Sequence, residues 1–150
     1  MGIGRAIAEG FLAEGAKVVI ADRDGAEKAA GQLDADRGRV VGVACDVASR
    51  DDTEAMARAA VDAFGQIDVL VNNAGIYSAL KPMPFEDLDI DEWKRVLDVN
   101  VMGLALATRA VAPTMRAQGA GRIINISSGT QFKVSLSCCT TWHARARSTR

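Results

Sequence analysis

Short β-branched runs alternate with longer helical patterns from residue 3 to residue 126, and that alternation constrains the fold more than any other feature of the chain. Ile3, Ile7, Phe11 and Leu12 recur at helical spacing over residues 3–14, and Gly15 supplies a stop. A strand over Lys17–Ala21, bounded by Asp22, is followed by a helix rich in Ala, Glu and Lys over residues 24–35. The run Arg39–Cys45 reads as a second strand. A helix over residues 50–64 follows, with Ala55, Met56, Ala59, Ala60, Ala63 and Phe64 on one face. A third strand spans Ile67–Val71, and a long loop with Gly75, Pro82 and Pro84 comes next. Residues 90–117 carry a long helical pattern around Trp93, Val96, Leu97, Asn100, Val101 and Leu104, which Pro113 is expected to end or kink. The fourth strand is Arg122–Ile126. Near-continuous apolar strands separated by helices predict an α/β fold, with a parallel sheet covered on both faces. The chain opens with a helix straight after a glycine cluster, where a doubly wound nucleotide fold opens with a strand.

Charge and cysteine content remove several function classes. The net charge of −1 gives no electrostatic case for nucleic acid or an anionic membrane. No apolar run approaches the ~18 residues of a membrane span, and no signal peptide is visible, so the chain reads as cytoplasmic. His143 is the only histidine, and Cys45, Cys138 and Cys139 have no zinc or disulfide spacing. No metal site is expected.

Individually, the polar and glycine positions at the element ends are ambiguous. Gly2-Ile3-Gly4 at a helix start lets a pyrophosphate approach the helix N-terminus, or is simply a flexible end. Asp22, 18 residues after Gly4, suits both ribose hydroxyls and repels a 2′-phosphate, or caps the next helix. It favours NAD, while Arg23 beside it keeps NADP open. Asn72-Asn73-Ala74-Gly75 follows a buried-type strand, Asp46-Val47 follows the strand before it, and Asn100 lies in the long helix.

Together the segments GIG, VVIAD, CDV, LVNNAG, VNVMG and GRIINISS, in this order through residues 2–128, resemble a short-chain dehydrogenase/reductase of the ordinary single-domain type. The resemblance implies an incomplete Rossmann-like, doubly wound parallel sheet, lacking its first strand and its C-terminal half. In the family's strand order 3-2-1-4-5 that first strand is central, so its loss leaves two strand pairs with no partner between them. The resemblance assigns Gly2, Ile3 and Gly4 to the end of the cofactor loop and Asp22 to the ribose. It places Asp46 and Val47 beside adenine, and Asn73, Ala74 and Gly75 along the cofactor. Asn100 would support a proton-relay water, against a plain role in bending the helix. Ser128 would be the catalytic serine, against a strand-end cap. The implied activity is NAD- or NADP-dependent hydride transfer between a cofactor and a secondary alcohol or ketone. Candidate substrates are 3-oxoacyl thioesters, small or aryl alcohols, sugars and steroids. Intact relatives are expected to form dimers or tetramers through the long helix.

The same resemblance exposes two departures. The family's catalytic tyrosine position falls on Thr141, and the lysine four residues later falls on Arg145. A threonine hydroxyl is a far weaker acid than a phenol, and guanidinium keeps its charge. Tyr77 and Lys81 fit Tyr-x-x-x-Lys, but they precede Ser128, and Pro82 disfavours a helix there. All 19 acidic side chains lie before residue 133, whereas Lys133, Arg145, Arg147 and Arg150 follow with no acid. The reading is therefore a partial dinucleotide-binding domain over residues 1–133 and an aberrant, disordered tail over 134–150. The tail reads as a translated frameshift: shifting one nucleotide permits a tyrosine at 141 and a lysine at 145. On this reading the chain is inactive. The alternatives are a non-catalytic nucleotide-binding pseudoenzyme and a gene fragment that does not fold alone.

Overall fold

The computed structural model describes residues 2–33, 38–77 and 84–127. Ser128, Lys81, Thr141, Arg145 and the 134–150 tail lie outside the described residues.

The elements follow the alternation read from the sequence. Helix α1 (Ile3–Ala13) leads to β1 (Val18–Asp22), α2 (Ala26–Leu33), β2 (Val40–Ala44) and α3 (Arg50–Phe64). Then come β3 (Val69–Asn72), a 3₁₀ turn (Phe85–Asp87), α4 (Ile90–Leu97), α5 (Gly103–Gln118) and β4 (Arg122–Asn125). The local causes are legible. Ser49 accepts from the Asp52 N–H at the start of α3, with Asp51 and Asp52 in its first turn. Gly65 ends that helix at φ 82°, a left-handed conformation that costs a glycine little. Asp89 caps α4 by accepting from the N–H groups of Asp91 and Glu92.

Two expectations about the helices are corrected. Pro113 does not end the long helix, which runs on to Gln118. The irregularity lies earlier, where Asp98–Met102 form a π turn joining α4 to α5. On α3 the buried side chains are Thr53, Met56 and Ala57, whereas Ala63 is exposed. Alanines on all sides of this helix hide its true stripe, and Thr53 tolerates complete burial because its hydroxyl donates to the Arg50 carbonyl at 2.8 Å.

Among the described residues, β1 pairs only with β2, from Val18↔Val40 to Asp22↔Ala44, and β3 pairs only with β4, from Val69↔Arg122 to Asn72↔Asn125. Both pairs are parallel. The sheet is thus interrupted between β1 and β3, as the family's strand order implies for this sequence. The Val18 N–H bonds to Arg39 and the Asp22 carbonyl to Cys45, so Val19 and Ala21 face away from β2. By the same alternation Val69 and Val71 face away from β4. A cavity of about 1660 Å³, lined by both strands and by α1, α3 and α5, occupies the interruption. Strands β1 to β3 are only about half-buried, and all of β4 is exposed, in place of the full burial the apolar runs suggest.

Helices cover both faces of the β1–β2 pair. Neighbouring residues of a strand point to opposite sides. In β2, Gly42 sits against the start of α2, while Val43 packs on the cluster formed by α3 and α5. That cluster (Cys45, Met56, Ala57, Ile67, Ala107, Val111 and Met115) also collects Ala21 of β1 and Leu70 of β3. It is the packing that joins the two strand pairs. The rod Ile90–Gln118 is long and apolar enough, by length and composition, to cross a membrane. Here Ala107, Val111 and Met115 on its inner side serve the core.

Candidate functional site

The loops at the C-terminal ends of β1, β2 and β3 converge on the cavity, together with the first turn of α1. Ligands of open α/β sheets bind in this crevice. Gly2, Ile3, Gly4, Asp22, Asp46 and Val47 all line it, as do Asn73, Ala74, Gly75 and Asn100.

Helix α1 is built differently from α3 and α4 at its start. Its N-cap is Gly2, with no side-chain cap and no acid in the first turn. Its leading N–H groups and positive dipole end are therefore left for an external anion. Gly4 lies close under its neighbour: a Cβ there would come within 2.7 Å of Asn73 Nδ2, so the amide would have to turn aside. The end of β3 thus approaches the helix start across the interruption.

Asp22 closes β1, and its Oδ1 accepts from the Asp24 N–H at 3.2 Å in a turn ahead of α2. The Arg23 guanidinium beside it is paired with Asp24 at 3.1 Å, on the surface. After β2 the Asp46 N–H donates to Asp52 Oδ2, and Asp46 Oδ1 accepts from the Ala48 N–H, both at 2.9 Å. Val47 is gripped from the other side, because a Cβ on Gly103 would lie 2.7 Å from Val47 Cγ2. The bond from the Asp46 N–H, then that from the Ser49 hydroxyl, hold the Asp52 carboxyl below the usual carboxylate range. Neighbouring Cys45 is buried, and desolvation, then the charges of Asp52 and Asp46, push its thiol up to about 11.

Asn100 lies in the π turn, and its side chain is spent on one partner. Its Oδ1 accepts from the Ile76 N–H at 2.7 Å, and its Nδ2 donates to the Ile76 carbonyl at 3.0 Å. The amide thereby fixes the chain just past Gly75, whose own Cβ would approach Asn100 Oδ1 to 3.3 Å. Tyr77 also lines the cavity and is 59% exposed.

Several residues matter here that the motifs did not single out. Ser49 and Asp52 form a variant of the capping box, in which the Asp52 N–H donates to Ser49 Oγ and the Ser49 hydroxyl donates back to Asp52 Oδ1, readable in principle from Ser-x-x-Asp ahead of a helix. Asn72 donates to Asn125 Oδ1 at 2.9 Å, tying β3 to β4, a pairing between distant segments that no local signal reports. Among the described residues, no group of three or more His, Cys, Asp or Glu could hold a metal ion. The arrangement suits an elongated ligand with an anionic centre and hydrogen-bond donors at its ends.

The sequence profile described as "short chain dehydrogenase" matches residues 1–140. A D-threitol dehydrogenase of Mycolicibacterium smegmatis is 40% identical over 129 residues, which is 85% of this chain and 48% of that protein. An uncharacterized oxidoreductase of Staphylococcus aureus is 38% identical over 138 residues, 91% of this chain and 58% of that protein. Among solved structures, sorbitol-6-phosphate 2-dehydrogenase SrlD from Erwinia amylovora superposes with a TM-score of 0.84 at 29% identity. The match covers 94% of this chain and 56% of that one. The chain spans about half the length of the curated relatives it matches, 48% and 58% for these two.

Proposed function

Because the chain belongs to the short-chain dehydrogenase family, we propose that its cavity binds a nicotinamide dinucleotide. We further propose that the parent activity interconverts a secondary alcohol and a ketone, and that this chain binds without turning over. The observation that carries the reading is the uncapped start of α1 opening into the same cavity as Asp22 and Asp46. The free N–H groups of α1 would take the diphosphate. Asp22 would accept from the ribose hydroxyls and disfavour a 2′-phosphate, hence NAD over NADP. Asp46 and Val47 would flank the adenine, and Asn73, Ala74 and Gly75 would line the path toward the nicotinamide. When bound, the nicotinamide supplies the hydride-accepting or hydride-donating carbon.

The chain's own residues would then hold the substrate oxygen and move its proton. The Ser128 hydroxyl would donate to that oxygen and steady its developing charge. Asn100 would act by holding Ile76 in place beside it. Thr141 and Arg145 stand where the family's proton-transferring pair belongs, and neither does that work near neutral pH. Relatives named for D-threitol and sorbitol 6-phosphate support a polyol among the candidate alcohols. The exposed Ile90, Val101 and Met102 on the long helical rod support self-association, checked by light scattering.

The test is a fluorescence titration of the purified chain with NADH and NADPH, followed by a polyol and ketone turnover panel. Saturable NADH binding with no turnover is expected. Absence of binding overturns the cofactor reading, and turnover above that of a Thr141→Ala variant overturns the inactivity. A second reading, that the chain does not fold cooperatively alone, is supported by the interrupted sheet. A featureless thermal melt by far-UV circular dichroism would favour it.

A further inference from the structure

Resting on the dinucleotide reading, we infer that Asp52 is a positioning residue for the adenine end of the site. It acts through Asp46, whose carboxylate it holds toward the exocyclic amine of the base.

The first turn of a helix commonly carries acids that serve only the helix dipole. Asp51, next in line, is such a residue. Asp52 does more. Its Oδ1 accepts from the Ser49 hydroxyl at 2.9 Å, and its own N–H donates to Ser49 Oγ at 3.2 Å. That reciprocal pair orients the carboxylate, and the remaining oxygen, Oδ2, reaches back out of the helix. There it accepts from the N–H of Asp46, six residues earlier, at 2.9 Å. The loop between β2 and α3 is thus closed on itself: Asp52 grips the Asp46 backbone, and the Ser49 N–H bonds the Asp46 carbonyl at 2.9 Å.

With its backbone held, Asp46 has little freedom in its side chain. Oδ1 is committed to the Ala48 N–H. Oδ2 has no partner among the described residues, and Asp46 lines the cavity. An ionised carboxylate is an acceptor only, so the group that answers it is a donor. Adenine presents an amine at its edge, whereas hypoxanthine presents a carbonyl oxygen at the same position. The loop is also fixed from the opposite side, where Gly103 leaves room for Val47. Asp52 and Gly103 therefore define the two walls of one rigid turn.

The experiment compares the affinity of the full chain for NADH and for its reduced hypoxanthine analogue, by fluorescence titration, in wild type, D52A, D52N and D51A. Wild type is expected to prefer the adenine form about tenfold, the scale of one hydrogen bond to a charged group. D52A brings that ratio close to one. D52N retains most of it, because its amide oxygen still accepts from the Asp46 N–H, and D51A leaves it unchanged. A purely structural role weakens both ligands by the same factor, so a preserved ratio in D52A overturns the inference alone. Wild type that binds both ligands equally also overturns it, since Asp46 then does not read the base. Wild type that binds neither overturns the dinucleotide reading itself, and this inference with it. Should D52A fail to fold, S49A removes only the hydroxyl that steers the carboxylate and lowers the ratio in the same direction. An unchanged ratio in S49A overturns the inference.

Discussion

Substituting alanine for Gly42 adds one methyl group where strand β2 lies directly against the backbone of α2. Gly42 lies mid-strand in β2, opposite Ile20. A Cβ there would lie 2.5 Å from the Ala26 carbonyl oxygen, 2.5 Å from Glu27 Cα and 2.6 Å from the Ala26 carbonyl carbon. Comfortable carbon contacts begin near ~3.5 Å, so the first turn of α2 must retreat by about 1 Å. All three atoms are backbone, and no rotamer change clears them. Overpacking of this kind costs about 1–3 kcal/mol. Replacing glycine within a strand returns roughly 0.5–1 kcal/mol of chain entropy, which leaves a net loss near 1–2 kcal/mol. For a chain of this size that is a fall in Tm of roughly 2–8 °C. Gly31 on the same helix is the control: a Cβ there meets nothing within 4 Å. G31A should gain about 0.5–1 kcal/mol from helix propensity and raise Tm. The assay is a pair of thermal melts by circular dichroism against wild type. If G42A melts at or above wild type, the close approach of α2 to β2 is wrong.

Gln118 grips Ile67 from both sides, its Oε1 accepting from the N–H at 3.0 Å and its Nε2 donating to the carbonyl at 3.1 Å. Q118A strands both groups and should cost about 1–3 kcal/mol, read from the urea midpoint. The Asp52 carboxyl is lowered by the fold, so its stabilisation is complete above the ordinary aspartate range. It is lost as pH falls through the lowered value. D52N should therefore flatten the acid limb of a stability-versus-pH curve, and an unchanged limb refutes the assignment. With its thiol near 11, Cys45 should resist a thiol reagent at pH 8 until the chain is unfolded. The rate is measured in a C138S, C139S background, and fast labelling of the native chain counts against its burial.

Element order was legible because each boundary carries its own chemistry: Ser49 and Asp89 open helices, Gly65 closes one, and Asp22 ends a strand. The π turn at Asp98–Met102 was not, since periodicity runs smoothly through it and the Asn100 bonds to Ile76 inside it join positions 24 residues apart. Pro113 misled for a related reason. A helix held by Val111 and Met115 in the core tolerates one missing N–H. The candidate site was legible as a set of motifs, and the structure gathers ten of its residues around one cavity. What the motifs could not supply is the support beneath it. Gly4 under Asn73, Gly103 against Val47 and Asp52 on Asp46 are meetings between separate elements, and only the first and last leave any trace in local spacing.

The interrupted sheet also bears on how the molecule comes apart. Among the described residues no strand hydrogen bond joins one pair to the other, so side-chain packing of α3 and α5 is the chief coupling between them. The pairs also differ in chain closure: partners lie 22 positions apart in β1–β2 and 53 apart in β3–β4. The first is a local unit that forms at small entropic cost, whereas the second waits on a far longer loop. Cooperativity should therefore be divided, with two exchange regimes. Under mild denaturant the amides of Leu70 and Ile124 should open before those of Ile20 and Val41.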